Sequence, residues 1–256
     1  MDQSAENWEL IIVDDGSIDD TKIVVRGYLN DERIICYYQR NAGVSAARNK
    51  GVELSKGDYI IFLDSDDRIS PSLISTLNKI NYQKYDLICW QVSKLLDGKT
   101  SILKPRRLEK IYNNMTATFL SGSICYRKNV VLEAGGFDPR MSFGENYELG
   151  MRIGEIPNLK IRTIAEPLLE YRFPLERESN SYTNRLNSYL HLYQKHLEKF
   201  EEDKISHSRM NYLLGYIHEK TGSNEKAFKY FKEAFKISNR NYKAFLKFIY
   251  FIIFRR

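Results

Sequence analysis

Apolar and polar positions alternate in blocks along the first third of the chain. Trp8 to Val13 is an apolar run broken only by Glu9, and it stops abruptly at Asp14-Asp15-Gly16-Ser17. That pattern predicts a buried strand ending in an acidic loop. Asp19, Asp20 and Thr21 offer cap residues for a helix to about Leu29. Ile34 to Gln39 reads as a second strand. Asn41-Ala42-Gly43 reads as a turn, with Ser45 capping a helix to about Leu54 that Lys56-Gly57-Asp58 stops. Tyr59 to Leu63 is a third apolar strand, ending on Asp64, Asp66 and Asp67. Further on, Asp86–Val92 reads as a strand with a hairpin around Asp97-Gly98. Ser121–Tyr126 reads as a strand entering a helix over Lys128–Ala134. Gly144-Glu145-Asn146 opens a helix to about Glu155, and Leu168–Phe173 is a last strand. From about Arg185 onward the pattern is helical throughout.

Near-continuous apolar strands alternating with helices predict an α/β fold. Its sheet should be mostly parallel, with helices on both faces, followed by an all-helical C-terminal tail. In such sheets ligands bind beyond the carboxyl ends of the strands. Both acidic loops lie at those ends, so they should meet on one rim.

Composition narrows the class. The chain is 43% apolar and 28% charged, too apolar for a disordered protein. Cys36, Cys89 and Cys125 are few and scattered, which excludes a zinc ribbon or a disulfide scaffold and predicts buried thiols in a reducing compartment. No charged segment followed by an apolar stretch opens the sequence, so a cytoplasmic protein is expected. The net charge of +6 is uneven: residues 1–184 sum to −2 and residues 185–256 to +8. The basic excess belongs to the tail, so two regions with different tasks are expected and a nucleic-acid partner is not.

Asp64-Ser65-Asp66 is an Asp-x-Asp at a strand end. Two carboxylates so spaced can hold Mg²⁺ or Mn²⁺, which often takes substrate phosphates as further ligands. The same loop also reads as a solvated turn with Asp67 capping a helix. The order of motifs adds context: Val13-Asp14-Asp15-Gly16-Ser17, then Asn41-Ala42-Gly43-Val44-Ser45-Ala46-Ala47-Arg48-Asn49-Lys50-Gly51, then Asp64-Ser65-Asp66-Asp67, then Gly135-Gly136-Phe137-Asp138 and Gly144-Glu145-Asn146-Tyr147-Glu148-Leu149. This set resembles the family-two glycosyltransferases, which have the Rossmann-like GT-A fold, over roughly residues 1–175. The resemblance implies a core over 1–184 that moves one sugar, with inversion, from a nucleotide-diphosphate sugar to a glycan or lipid-linked acceptor. A UDP-sugar is the expected donor. It implies that Asp15 hydrogen-bonds the base with support from Asp14, and that Arg48 lies near the nucleotide. Asp64 and Asp66 would form the nucleotide and metal site, with Asp66 the more direct ligand. Arg48 reads equally as a salt-bridge partner of a neighbouring acid.

Two departures qualify the resemblance. Family members usually carry Glu-Asp where this chain has Glu145-Asn146, and asparagine cannot take a proton from an acceptor hydroxyl. Glu145 can serve as base with Asn146 orienting the acceptor, or Glu148 or Asp138 can act, or the chain binds nucleotide sugar without transferring it. Glu145 also reads as a first-turn carboxylate facing the helix dipole. The second departure is the start: the family's first strand and helix have no counterpart before residue 2. An N-terminally incomplete core, with an unpaired strand edge, is therefore expected. The Gln-x-x-Arg-Trp signature of processive members is not found after residue 150, which favours transfer of single sugars.

In the tail, 185–256, Leu214-Gly215, Gly222, Ala227, Phe231 and Ala234 fall at the spacings of one tetratricopeptide-like helix pair. His218 stands where an aromatic is usual and Asn239 where proline is. His191, His196 and His207 are expected at the surface. The terminal run Tyr242–Arg256 is apolar and flanked by cations, but too short to span a bilayer. It reads either as a core helix or as a helix lying on the inner face of the cell membrane. A helical adaptor whose tail recruits partners is the remaining alternative.

Overall fold

The computed structural model describes residues 2–96, 98–172 and 182–254. Asp97 of the expected hairpin, Phe173 of the last expected strand, and Arg255 and Arg256 of the terminal run lie outside the described residues. The chain divides into two compact units. The first, an α/β unit, takes 2–107, 115–139 and 145–172; the second, helical, takes 108–114, 140–144 and 182–254.

The α/β unit starts with β1 (Leu10–Asp14), α1 (Thr21–Arg26), β2 (Ile34–Tyr38), α2 (Val44–Leu54) and β3 (Tyr59–Ile61). β4 (Arg68–Ile69), α3 (Leu73–Lys79), β5 (Leu87–Leu96), β6 (Lys99–Leu103), β7 (Arg106–Arg107) and β8 (Thr116–Ala117) follow. β9 (Ile124–Arg127), α4 (Lys128–Glu133), α5 (Glu145–Ile153) and β10 (Ile161–Arg172) complete it. β1 and β2 form a parallel pair joined through α1, as a crossover connection requires. The main sheet runs β3-β9-β5-β10-β4, with β6 on β5. Among the described residues no ladder joins β1 to β3, so each keeps one edge without a strand partner. The core lies under the main sheet, where Leu73 and Leu77 of α3 pack on Ile88, Trp90 and Val92 of β5 and on Ile164 and Leu169 of β10.

The α/β class and the helical C-terminal part stand, but the expectation of a mostly parallel sheet does not. Among the described residues only two of seven ladders are parallel, β1 with β2 and β5 with β10. A continuous apolar run does not encode direction, nor here full cover: in β1, expected as a buried strand, only Asp14 is buried and Leu10 is exposed. Direction follows from the connections. The tight turn after β5 makes β6 antiparallel, whereas the long passage through α4 and α5 returns β10 parallel to β5. The β5–β10 ladder slips at Pro167, which has no N–H to give to a ladder. Ser45 is not the cap of α2; that position is held by Gly43 at φ 90°, and Ser45 is buried inside the first turn. Asp67 precedes the short strand β4 rather than a helix.

The helical unit contains α6 (Tyr182–Lys195), α7 (Leu197–Glu202), α8 (Lys204–Lys220), α9 (Asn224–Ile237) and α10 (Tyr242–Phe254). Asp203 caps α8 by accepting from the Ile205 and Ser206 amides. α8 and α9 form the expected hairpin. A Cβ on Gly215 would lie 2.8 Å from the Phe231 ring, so the small residue sets the approach of the two helices. His218 substitutes for an aromatic by stacking on Tyr230 at 5.3 Å. His196 is buried at the head of α7 rather than at the surface, and the half-buried His207 bonds the Tyr193 hydroxyl at 2.7 Å.

Burial pushes the thiols of Cys89 and Cys125 up to about 12, whereas Cys36 is half-buried. Titration of the native protein with a disulfide reagent should therefore modify Cys36 alone, and all three thiols after denaturation. Rapid native modification of two or three thiols would contradict this packing.

Candidate active site

The acidic loops after β1 and β3 are positioned by backbone bonds as much as by strand ends. Asp14 is buried, and its Oδ1 accepts from the Ser17 amide at 2.7 Å. That bond holds its carboxyl below the usual carboxylate range. Its Oδ2 is buried without a hydrogen-bond partner. Asp15 accepts from the side chain of Gln39 at 2.7 Å and from the amides of Ala42 and Gly43 at 2.8 Å each. It thereby staples its own loop to the turn that starts α2. Gly16, at φ 86°, lies where a Cβ would come within 3.0 Å of the Asn41 amide, so this junction admits no side chain.

α2 then carries two functional arms. Arg48 donates through Nη2 to Asp64 Oδ1 and through Nη1 to Glu145 Oε1, each at 2.7 Å. It also reaches Ser121 Oγ at 3.2 Å, and its guanidinium lies 5.2 Å from the Phe137 ring centre. Its side chain is 10% exposed. Burial works against its charge, but the two carboxylates outweigh this and raise its pKa above the ordinary value. The neighbouring Asn49 exchanges two 2.8 Å bonds with the backbone of Phe137. A Cβ on Gly136, at φ 69°, would meet Asn49 Oδ1 at 2.7 Å. Arg48 and Asn49 together fix the Gly135–Phe137 turn and the start of α5 against α2.

Glu145 begins α5, and Asn146 Nδ2 donates to the same Oε1 at 3.2 Å. Glu148 is fully buried and locked to Arg152, whose Nε and Nη2 reach its two oxygens at 2.9 and 2.6 Å. Arg152 further donates to the carbonyls of Ala134 and Gly136. Asp138 is also buried. Asp64, Asp66 and Asp67 can each offer one carboxylate oxygen within 4.8 Å of the others. That set of hard oxygen donors fits a divalent cation such as Mg²⁺ or Mn²⁺. Asp66 is the exposed member and Asp67 the buried one.

The structure thus brings Arg48, Asp64 and Glu145 into direct contact, with Asn146 beside them and Asp66 next along the β3 loop. Asp15 reaches this group through the start of α2, whereas the Asp14 side chain bonds within its own loop. Asn49, Gln39, Ser121 and Arg152 were not singled out by the sequence reading. Asn49 stands inside the quoted Ala47-Arg48-Asn49 segment, and Arg152 stands four residues after Glu148 on the expected helix; Gln39 and Ser121 carry no local signal.

Removing the Arg152 side chain leaves a buried carboxylate without its cation. In urea unfolding, Arg152→Ala should cost about 3–5 kcal/mol. A loss under about 1 kcal/mol would mean that Glu148 is not tied in this way.

The family model described as Glycosyl transferase family 2 matches residues 1–137. An uncharacterized glycosyltransferase of Haemophilus influenzae is 27% identical over 257 residues, which cover 95% of this chain and 85% of that protein. Glycosyltransferase GlyA of Streptococcus pneumoniae is 40% identical over 121 residues, 44% of this chain but only 17% of GlyA. Among solved structures, S. aureus TarS 1-349 in complex with UDP-GlcNAc has a TM-score of 0.63 at 15% identity, covering 92% of this chain and 74% of that one. That likeness is one of fold.

Proposed function

The chain belongs to glycosyl transferase family 2, and on that premise we propose that it moves a single sugar from a UDP-sugar to a glycan or lipid-linked acceptor, with inversion at the anomeric carbon. The observation that carries this reading is Arg48, one buried cation bonded to both the Asp-x-Asp loop and the first residue of α5. It unites a loop suited to a diphosphate donor with a carboxylate suited to an acceptor hydroxyl. TarS binds UDP-GlcNAc on the same fold, which supports the choice of donor.

In this reading Asp15 receives the N–H of the nucleotide base, and the buried Asp14 supports its loop through the Ser17 amide. Asp15 already accepts three donors, and a carboxylate has about four acceptor positions. Arg48 stands near the nucleotide, and Asp64 and Asp66 hold Mg²⁺ or Mn²⁺. A divalent cation there supplies Lewis-acid stabilisation of the negative charge on the departing diphosphate.

Glu145 is the base. Its hydrogen bonds from Arg48 and Asn146 go to Oε1, which leaves Oε2 to take a proton. The acceptor hydroxyl gives that proton to Oε2 as its oxygen attacks the anomeric carbon from the face opposite the leaving group. The bond from carbon to phosphate oxygen breaks, and the nucleoside diphosphate departs with the electron pair. Asn146, unable to act as base, orients Glu145 and the acceptor. The pairing of Glu148 with Arg152 supports this choice over Glu148.

One observation favours a second reading. Arg48 sits on the very carboxylate that would take the proton, and Asn146 replaces the family's usual acid. A nucleotide-sugar binder without transfer activity fits that arrangement. Either protein acts in the cytoplasm, beside nucleotide sugars and the inner membrane face.

UDP release with Mn²⁺ and a panel of glycan and lipid-linked acceptors separates the readings. The transferase should release UDP, and Asp66→Ala should abolish release. Glu145→Gln should retain UDP-sugar binding and slow transfer by about 10²–10⁴-fold. Binding without release from any acceptor would leave the second reading, and absence of binding would end both.

A further inference from the structure

Helix α10 is apolar apart from Lys243 and Lys247, the latter paired with Glu219 at 2.6 Å, yet only one side of its apolar surface is covered. Ala244 and Phe251 are buried against α9, where Phe251 lies 5.7 Å from Phe231. Phe248 stacks on Phe228 at 5.4 Å, and Phe245 sits 5.1 Å from Phe235. On the opposite side Tyr242 is 64% exposed, Leu246 60% and Ile253 62%, with Phe254 at 71% beside them. These positions fall at i, i+4 and i+11, so they form one stripe about 16 Å long. An exposed apolar stripe of this length requires cover.

Cations border the stripe. Lys229, Lys232 and Lys236 are exposed on α9 at i, i+3 and i+7. They form a row beside the Phe228 and Phe235 positions that hold α10. Lys236 is 3.6 Å from Glu233. Arg240 in the connection and Lys243 in the first turn of α10 are exposed as well. Residues 224–254 carry seven Lys or Arg against two Glu.

We infer that α10 docks flat on an anionic lipid surface, with Tyr242, Leu246, Ile253 and Phe254 in the headgroup–acyl boundary and the lysines over lipid phosphates. Charge complementarity selects this occupant. A second copy meeting the same face would set these cations against one another, because a two-fold contact pairs a patch with itself. Tyrosines at the margin suit the wet side of a lipid interface. With 13 residues α10 is too short to span. Among the described residues no helix is long and apolar enough to cross a membrane. The inference goes beyond sugar transfer and stands without it.

Co-sedimentation of the full chain with vesicles tests it. The protein should bind phosphatidylcholine vesicles containing roughly one-third phosphatidylglycerol and stay free of phosphatidylcholine alone. Leu246→Glu with Ile253→Glu should weaken binding about tenfold or more. Lys232→Gln with Lys236→Gln and Lys243→Gln should do the same, as should salt that shortens the screening length to about 3 Å. Circular dichroism shows which variants fold, and the lysine set reads the same property without touching α10's stripe. Equal binding to neutral vesicles, no binding to anionic ones, or unchanged binding by both variants would overturn the inference. So would a dimer that Leu246→Glu abolishes. UDP-sugar binding measured on the same samples is independent, so a failure at the vesicle leaves the transfer reading untouched.

Discussion

A guanidinium taken out of water must find anions, and Arg48 finds two. Its bonds to Asp64 and Glu145 join residues that are 16 and 97 positions away in sequence. Without a cation between them the two carboxylates would repel; without them the buried charge would be unpaired. Neither the β3 loop nor the start of α5 is held by long stretches of regular structure. Their relative position is held by this side chain together with the bonds of Asn49 and Arg152 to the Gly135–Phe137 turn.

α2 is fixed at several points in turn. Asp15 ties its first turn to the β1 loop, and Asn49 ties its middle to the Gly135–Phe137 turn. Gly16 and Gly136 are required because each adopts a left-handed conformation under close contact. Arg152 and Glu148 then anchor α5 from its buried side. The polar groups proposed to meet donor and acceptor are therefore held by bonds within the fold, which is the condition under which electrostatic stabilisation is effective. Family membership says that this core handles activated sugars; the bonds say which residues keep its halves in register.

Much of this was legible in the chain. Abrupt acidic ends marked β1 and β3, and their loops do lead into one bonded network. Both readings of Arg48, nucleotide neighbour and salt-bridge partner, were available from its motif, and the salt bridge is present. Strand direction was not legible, because an apolar run carries no record of orientation and the connections set it. The pairing of Arg152 with Glu148 was legible as an i, i+4 spacing, but its bonds to carbonyls of a turn 16 and 18 positions earlier were not. Local pattern carries no record of such pairs. The helical hairpin was readable from small residues because Gly215 and Phe231 meet directly.

The central claim is that Arg48 energetically couples α2 to the first residue of α5. A double-mutant cycle with Arg48→Met and Glu145→Gln, read by urea unfolding, measures that coupling with no need for substrate. The bridge predicts an interaction energy of about 1–3 kcal/mol between the two sites. Costs that add to within about 0.5 kcal/mol would contradict it.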